Sequence, residues 1–299
     1  WFEEEVAYQV YEDGTFLQFS MNYHRVVVQL LSWAIRISEL NDKPFSKVIY
    51  DRAHASLKFL NACMVPENGM LPNYGANDGA LFFKFSDAKF RDYRPQLEAL
   101  AAVLKAPCAT NSYEDKHWYG CTDVNYKPAG AELKLNSFGK GGYYTIQEKD
   151  ALTFIRCGSH KDRPSHADNL HLDIWVNGEN ILRDAGSYKY NTDEETLKYF
   201  FGTTSHNTVM LNGYDQMLKG GRFIWYYWSQ ALDASFEDHA DYVLFKGTVK
   251  VFQHIAAGIT HTRTVKKYKN KLRWEIADAL EHNTEHHMLQ IWNPAPGFA

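Results

Sequence analysis

Across residues 16–40, apolar side chains recur at Val27, Leu30, Leu31, Ala34, Ile35 and Ile37, with Trp33 adding bulk. That spacing predicts a mostly buried helix. Asn41-Asp42-Lys43-Pro44 stops it. A second helix is expected over 45–65, with Val48, Ile49, Ala53, Leu57 and Leu60 on one face. A third is expected over 94–105 through Leu97, Leu100, Ala101 and Leu104. Residues 1–105 therefore read as helical, and joined helices of this kind fit a bundle or an α/α toroid. Three helices are too few to close a toroid, so a preceding segment is expected.

The pattern changes after a crossover at about 107–130 that is rich in Asn, Ser, Tyr, Lys and Gly. Short strands are expected at 142–147, 151–157, 208–211, 242–252, 261–265, 272–276 and 288–292. Between them, Leu170, Leu172, Ile174 and Val176 alternate with His171, Asp173 and Trp175, the period of a strand with one buried face. Asn177-Gly178 then makes a tight hairpin turn, because both residues tolerate positive φ. The returning strand, 180–183, carries Asp184 back near the level of His166. Many short strands separated by turn residues argue for an antiparallel β-sandwich. The reading is thus a multidomain α + β chain: a helical domain over 1–110, a crossover over 111–130 and a sandwich over 131–299. The chain ends in Pro294-Ala295-Pro296-Gly297, where the sandwich need not be complete.

Composition narrows the classes. A chain of 299 residues has room for two cored domains. The formal charge of −4 leaves no basic footprint for nucleic acid. Aromatic residues make up 15%, more than a core requires. Surplus Trp and Tyr either pack a sandwich or line a sugar cleft, and Tyr188, Tyr190 and Trp225 fit both readings. Cys63, Cys108, Cys121 and Cys157 have no metal-type spacing. Cys108 and Cys121 could bridge a loop, though free buried thiols are the simpler expectation. No run approaches a membrane span. The first residue is Trp1 rather than Met, so nothing about a leader peptide follows from this end.

Three groups of side chains carry candidate chemistry. His166, Asp184 and His206 lie at strand ends that a sheet can bring together. Two imidazoles and a carboxylate suit zinc with one open position, and the bland alternative is a hydrogen-bonded polar cluster at a sheet edge. Asn22, Tyr23 and His24 crowd the start of the first helix beside Ser20 and Gln18. Either Ser20 or Asn22 would serve as a helix cap, with His24 a satisfied interior histidine, or the cluster is functional. Tyr74 sits in a loop of turn formers, Leu71 to Ala80, between Asn73 and Gly75, where a turn alone needs no tyrosine.

Taken in order, these motifs resemble a known family. Asp13-Gly14, Ser20, Tyr23-His24, then Pro72-Asn73-Tyr74-Gly75-Ala76-Asn77-Asp78, then His166-Ala167-Asp168, Asn177-Gly178 with Asp184-Ala185-Gly186, and Ser205-His206-Asn207-Thr208 resemble the heparinase II/III-like polysaccharide lyases. Alginate lyases of the same fold are related. The resemblance runs from about residue 10 to 230.

It implies the last part of an α/α toroid followed by antiparallel sheets. It also implies β-elimination on an anionic, uronic-acid-containing polysaccharide: a glycosaminoglycan, alginate or an exopolysaccharide. On this resemblance Asn22 and His24 neutralise the uronate carboxylate, and Tyr74 and His166 act as base and acid. Tyr23, Arg25, Asn73, Asn77, Arg163 and Tyr188 contact substrate, with Arg25 and Arg163 as sources of positive charge. His166, Asp184 and His206 hold one structural divalent metal, zinc by preference. A periplasmic or secreted location is implied as well. One departure matters. Pro164 stands where some relatives have a further histidine, so His166 is either catalytic or a metal ligand. In the latter case His160 or Tyr188 would supply the chemistry. Two other classes stay open, a glycoside hydrolase using Asp78 with Asp168 or Asp173, and a non-catalytic polysaccharide-binding protein.

Overall fold

The protein is described here by a computed structural model covering residues 1–128, 130, 132–221, 223–282 and 287–297. The expected sandwich limits at residues 131 and 299 lie outside the described residues. Contacts divide the chain into two compact units, Trp1–Ala131 and Glu132–Ala299. Residues 111–130 pack within the first.

Unit 1 is mainly helical. Its helices are α1 (Phe2–Gln9), α2 (Met21–Leu40), α3 (Lys47–Cys63), α4 (Arg94–Leu104) and α5 (Asp115–Trp118). A short parallel pair, β1 (Pro107–Cys108) and β2 (Asn125–Tyr126), ties down the crossover. The expected helix over 16–40 starts at Met21, because the Ser20 side chain caps it by accepting from the Tyr23 amide. The other cap candidate, Asn22, is left for other work. Helix α2 is not mostly buried. Val28, Leu31 and Ile35 face the core, but Leu30, Trp33, Ile37 and Leu40 are exposed. The buried face also carries polar groups, Asn22, His24, Arg25, Gln29 and Ser32. Helix α4 ends at Lys105 in the left-handed conformation. The loop between α3 and α4 has no regular structure and holds Tyr74.

Unit 2 is built from antiparallel sheets. A five-stranded meander runs β3 (Lys134–Phe138), β4 (Tyr143–Glu148), β5 (Ala151–Arg156), β6 (Leu172–Val176) and β7 (Glu179–Leu182). Helix α6 (Glu194–Phe201) and a 3-10 turn (Thr203–Ser205) follow, then β8 (Val209–Leu211), β9 (Leu218–Lys219) and β10 (Trp225–Tyr226). A four-stranded meander comes next: β11 (Gln230–Asp238), β12 (Tyr242–Lys250), β13 (Thr260–Tyr268) and β14 (Trp274–Glu281). Strand β15 (Met288–Gln290) returns to pair with β8. The two large sheets share one core. Ile155, Leu172 and Ile174 of the first meet Phe245, Val249 and Val265 of the second.

The sequence expectation of a single buried face on β6 is corrected. Leu172 and Ile174 enter the shared core, but His171, Asp173 and Trp175 on the opposite face are also buried. That second face is covered by a hydrogen-bonded polar layer rather than by solvent. All four cysteines are free thiols, so Cys108 and Cys121 form no bridge. Among the described residues no helix is long and apolar enough to cross a membrane.

Candidate active site and metal centre

In unit 2 the polar layer is anchored at the loop entering β6. Leu170 adopts φ +60°, a costly conformation for a side chain branched at Cγ. It is held there from both sides. Its amide donates to Arg156 O at 2.7 Å, and its carbonyl accepts from Arg263 Nη1 at 2.7 Å. Asn169 is pinned equally fully. Its side chain bonds both backbone groups of Gly158 and the Ser229 hydroxyl, while its backbone bonds Gln216. Just upstream, Thr203 Oγ1 donates to Ala167 O and the Trp225 indole donates to Ser165 O. His166 is therefore presented by a loop fixed on both flanks. Trp225 is a buried packing residue here, not an exposed sugar platform.

Asn207 joins the second segment to the first. Its side chain donates to Leu172 O and Arg183 O and accepts from the Asn293 amide. These bonds place His206 beside Asp184. The result is a fully buried trio, His166, Asp184 and His206, whose ligand-capable atoms lie within 4.8 Å of one another. His206 Nδ1 donates to Asp184 Oδ2 at 2.9 Å, and Gly186 N donates to Asp184 Oδ1 at 2.7 Å. His206 Nε2 and both ring nitrogens of His166 have no hydrogen-bond partner among the described residues. Three orphaned nitrogen positions in a buried site are costly unless something fills the space between them. A divalent ion would take one nitrogen of His166 and Nε2 of His206, and an N, O, N donor set suits zinc. The residues thus fit the group.

The electrostatics set the two imidazoles apart. Burial holds His166 down to about 3, with His206 and His171 adding to this against the pull of Asp184. Burial opposes ionisation of Asp184, but His206 and His171 outweigh it and bring the carboxyl to about 2. For His206 burial is again the largest influence and lowers its basicity. The Asp184 carboxylate and its hydrogen bond overcome that and leave a net rise.

His171 was not singled out as a site residue from sequence, although it shares a β6 face with Asp173. Its Nδ1 accepts the Asn207 amide at 3.0 Å, which puts the ring proton on Nε2. Nε2 stands 3.6 Å from Asp184 Oδ2 and 3.8 Å from Asp173 Oδ2. A nitrogen that carries its proton cannot ligate a metal, so His171 backs the carboxylate from behind. Asp173 accepts from Asn180 Nδ2 and from the Asp184 amide, so both of its oxygens serve the scaffold. That leaves Asp173 poorly placed for the acid or base role the hydrolase alternative gives it.

Added zinc is expected to raise the midpoint of thermal unfolding of the wild type by several degrees, and to leave a His206→Ala variant unmoved. A differential scanning trace with and without zinc checks this, and equal shifts in both proteins would remove the trio as the binding site.

Unit 1 holds the other candidates. The Met21 amide donates to Tyr74 O at 3.1 Å, and Ser20 Oγ donates to Ala76 O at 2.5 Å. These bonds stitch the Tyr74 loop to the start of α2. Gly75 has φ +79°, and a Cβ there would meet Phe19 O at 2.0 Å, so the close approach needs glycine. Tyr74 and Asn22 are thereby fixed on adjoining segments, both buried. Asn73 and Asn77 are half-buried and bond each other through their side chains at 3.4 Å. Tyr23 is also half-buried.

Two further residues of α2 bear on the site. His24 is a satisfied core histidine. Its Nε2 meets Ser56 Oγ at 3.1 Å, its ring stacks on Phe59 at 5.5 Å, and burial lowers its pKa to about 3. Arg25 is buried, and its guanidinium bonds the Asn22 side chain inside the protein. The remaining two, in unit 2, are at the surface. Arg163 lies over the Phe223 ring at 5.1 Å, and exposed Tyr188 stacks on Phe200 at 5.6 Å.

A helical unit followed by antiparallel meanders is a fold that known proteins share. The sequence profile of the family described as heparinase II/III-like, C-terminal, matches residues 131–298, more than half of the chain, and the protein belongs to that family. A heparin-sulfate lyase from Bacteroides stercoris is 24% identical over 227 residues, covering 70% of this chain and 30% of the relative. The chain aligns in three dimensions with a heparan sulfate lyase from Pedobacter heparinus at TM-score 0.68 and 18% identity, over 92% of this chain and 40% of that one. A heparinase III superposes at TM-score 0.69 and 17% identity, over 95% and 41% respectively. The chain thus spans well under half the length of these relatives. The structural likenesses are those of fold.

Proposed function

We propose that the protein is a polysaccharide lyase that cleaves a uronate-containing chain by β-elimination. The observation that carries this reading is His166. It is fully buried, is neutral at physiological pH, and has both ring nitrogens without a partner among the described residues. In elimination, a base removes the C5 proton and the electron pair forms the C4=C5 double bond. The C4–O bond breaks, and the leaving oxygen takes up a proton.

The C5 proton is too weak an acid to leave unaided, so the adjacent carboxylate must be neutralised by a hydrogen-bond donor. Asn22 Nδ2 is such a donor, with no acceptor among the described residues. Tyr74, on the adjoining segment, would exchange the proton. His166 would serve either the proton transfer or the metal. If it binds zinc with Asp184 and His206, the ion is structural and the proton chemistry falls to Tyr74. Arg163 and Tyr188 offer a cation and an aromatic face for an anionic sugar. Heparan-type glycosaminoglycan heads the substrate candidates, because the similar proteins named above are heparin and heparan sulfate lyases, ahead of alginate and exopolysaccharides. Helices α1–α4 would belong to an α/α toroid, and a periplasmic or secreted location fits an extracellular polymer.

The test is incubation of the full-length protein with heparan sulfate, heparin, alginate and a bacterial exopolysaccharide. Ultraviolet absorbance of the unsaturated product is expected to rise with one of them. New reducing ends without that absorbance would establish hydrolysis instead, and neither signal would point to a non-catalytic binder.

A further inference from the structure

Arg25 lies one helical turn after Asn22, on the same buried face of α2. At that spacing two side chains of a helix are neighbours. Arg25 is 1% exposed. Its guanidinium lies over the Phe90 ring at 4.3 Å and the Tyr93 ring at 4.5 Å. Nη1 donates to Phe90 O, and Nη2 donates to Asn22 Oδ1 at 2.8 Å. Among the described residues it makes no ion pair with a carboxylate. A buried guanidinium that does without a carboxylate is an expensive feature to keep for packing alone. What it does with its charge is grip one particular amide oxygen.

That grip has a chemical consequence. A carboxamide has an accepting end and a donating end, and a half-turn about χ2 exchanges them. A guanidinium has only donors, so it admits the oxygen and rejects the NH2 group. With Oδ1 turned to Arg25, Asn22 Nδ2 must point the other way. That nitrogen is buried and has no partner among the described residues. The positive charge behind the oxygen also polarises the amide and strengthens its N–H groups as donors.

We propose that Arg25 is the positioning residue for Asn22, holding its carboxamide in the one orientation that aims the NH2 group at the substrate carboxylate. This rests on the lyase reading above. It replaces a direct role for Arg25 toward substrate with an indirect one, through a second side chain. Lysine would not reproduce it, because its ammonium is a point charge that lacks the planar fork needed to bond Phe90 O and Asn22 together.

The test combines Asn22→Asp, Asn22→Ala, Arg25→Met and their pairings in the full-length protein. Methionine keeps the apolar packing between the two rings. Asn22→Asp offers Arg25 a better acceptor while deleting the outward donor. It is expected to raise the unfolding midpoint, to lower it when combined with Arg25→Met, and to cut kcat at least 100-fold. Arg25→Met alone is expected to lower kcat about 10- to 100-fold with little change in KM. In the Asn22→Ala background it should lower kcat no further. A lower midpoint for Asn22→Asp with Arg25 present would overturn the pairing, and this reading needs no turnover and no Arg25 variant. Independent, multiplying losses of kcat would overturn the positioning role. No unsaturated product from the wild type on any uronate polymer would sink the lyase reading itself, and the positioning role with it, while the midpoints would still report the pairing.

Discussion

Replacing Tyr74 with phenylalanine is expected to lower kcat for uronate elimination by about 10²–10⁴, the usual worth of a positioned proton-transfer group. The change deletes one oxygen and leaves the backbone bonds of the loop in place. The Met21 amide bonds the Tyr74 backbone carbonyl, not its side chain. Gly75 keeps the conformation that brings the loop against Phe19. The unfolding midpoint should therefore move by no more than about 4 °C. Ultraviolet absorbance of the unsaturated product, read beside a melting curve, checks both halves. A variant that turns over at the wild-type rate would remove Tyr74 from the chemistry and shift attention to His166.

The second large effect concerns stability. Arg263 on β13 faces Asp278 directly across the β13–β14 pair. Both side chains are fully buried, and the guanidinium is bonded through Nε and Nη2 to the two carboxylate oxygens at 2.7 and 2.8 Å. His261 Nε2 meets the same carboxylate at 2.7 Å. Arg263→Met should cost about 3–5 kcal/mol, because it removes the charge partner of a buried carboxylate and leaves it only His261 and Gln290.

The sign of the pH dependence follows. Burial works against ionisation of Asp278, but Arg263 and His261 outweigh it and hold the carboxyl well below its usual range. A depressed folded-state value gives stability that is present above the unfolded value of about 3.9 and lost as pH falls below it. The gap between wild type and variant should thus be widest near pH 7 and shrink below about pH 4. Urea unfolding of unit 2 at pH 7 and pH 3 measures it. An equal gap at both values would show that Arg263 contributes through packing and its bonds to the Leu170 and Asn207 carbonyls, not through the Asp278 charge.

Most of the architecture could be read from sequence because its signals are local. The periods of α3 and α4 give those helices to within about two residues, the ordinary uncertainty of helix ends. The turn at Asn177-Gly178 does the same for the β6–β7 hairpin. Other elements were hidden for specific reasons. Strand β11 contains a register shift between Ala231 and Asp233, which breaks its alternation. Helix α6 opens Glu194-Glu195 and presents one buried residue, Phe201, too little to show an apolar stripe.

The site divides along the same line. His166, Asp184 and His206 could be proposed as a set, because strand ends and a hairpin predict proximity. The roles of His171, Arg25 and His24 could not. They depend on hydrogen-bond partners distant in the chain, such as Asn207 for His171, Phe90 for Arg25 and Ser56 for His24. Helical period marks Arg25 as inward-facing, but nothing local says whether an inward arginine meets substrate or a carbonyl.

The reach of Arg263 also sets an order of events in folding. Its Nη1 bonds the carbonyls of Leu170 and Asn207, 93 and 56 residues earlier in the chain. Loop closures of that length are slow, and little rewards them until the pairing is complete. During synthesis, the His166 and His206 loops would leave the ribosome long before the strand that locks them. Leu170 would have little reason to hold its left-handed backbone in the interval. The metal-ready geometry would then arise only in a chain whose second meander has already formed. Capture of an ion there would act as a late seal on a nearly finished fold rather than as a nucleus around which folding starts.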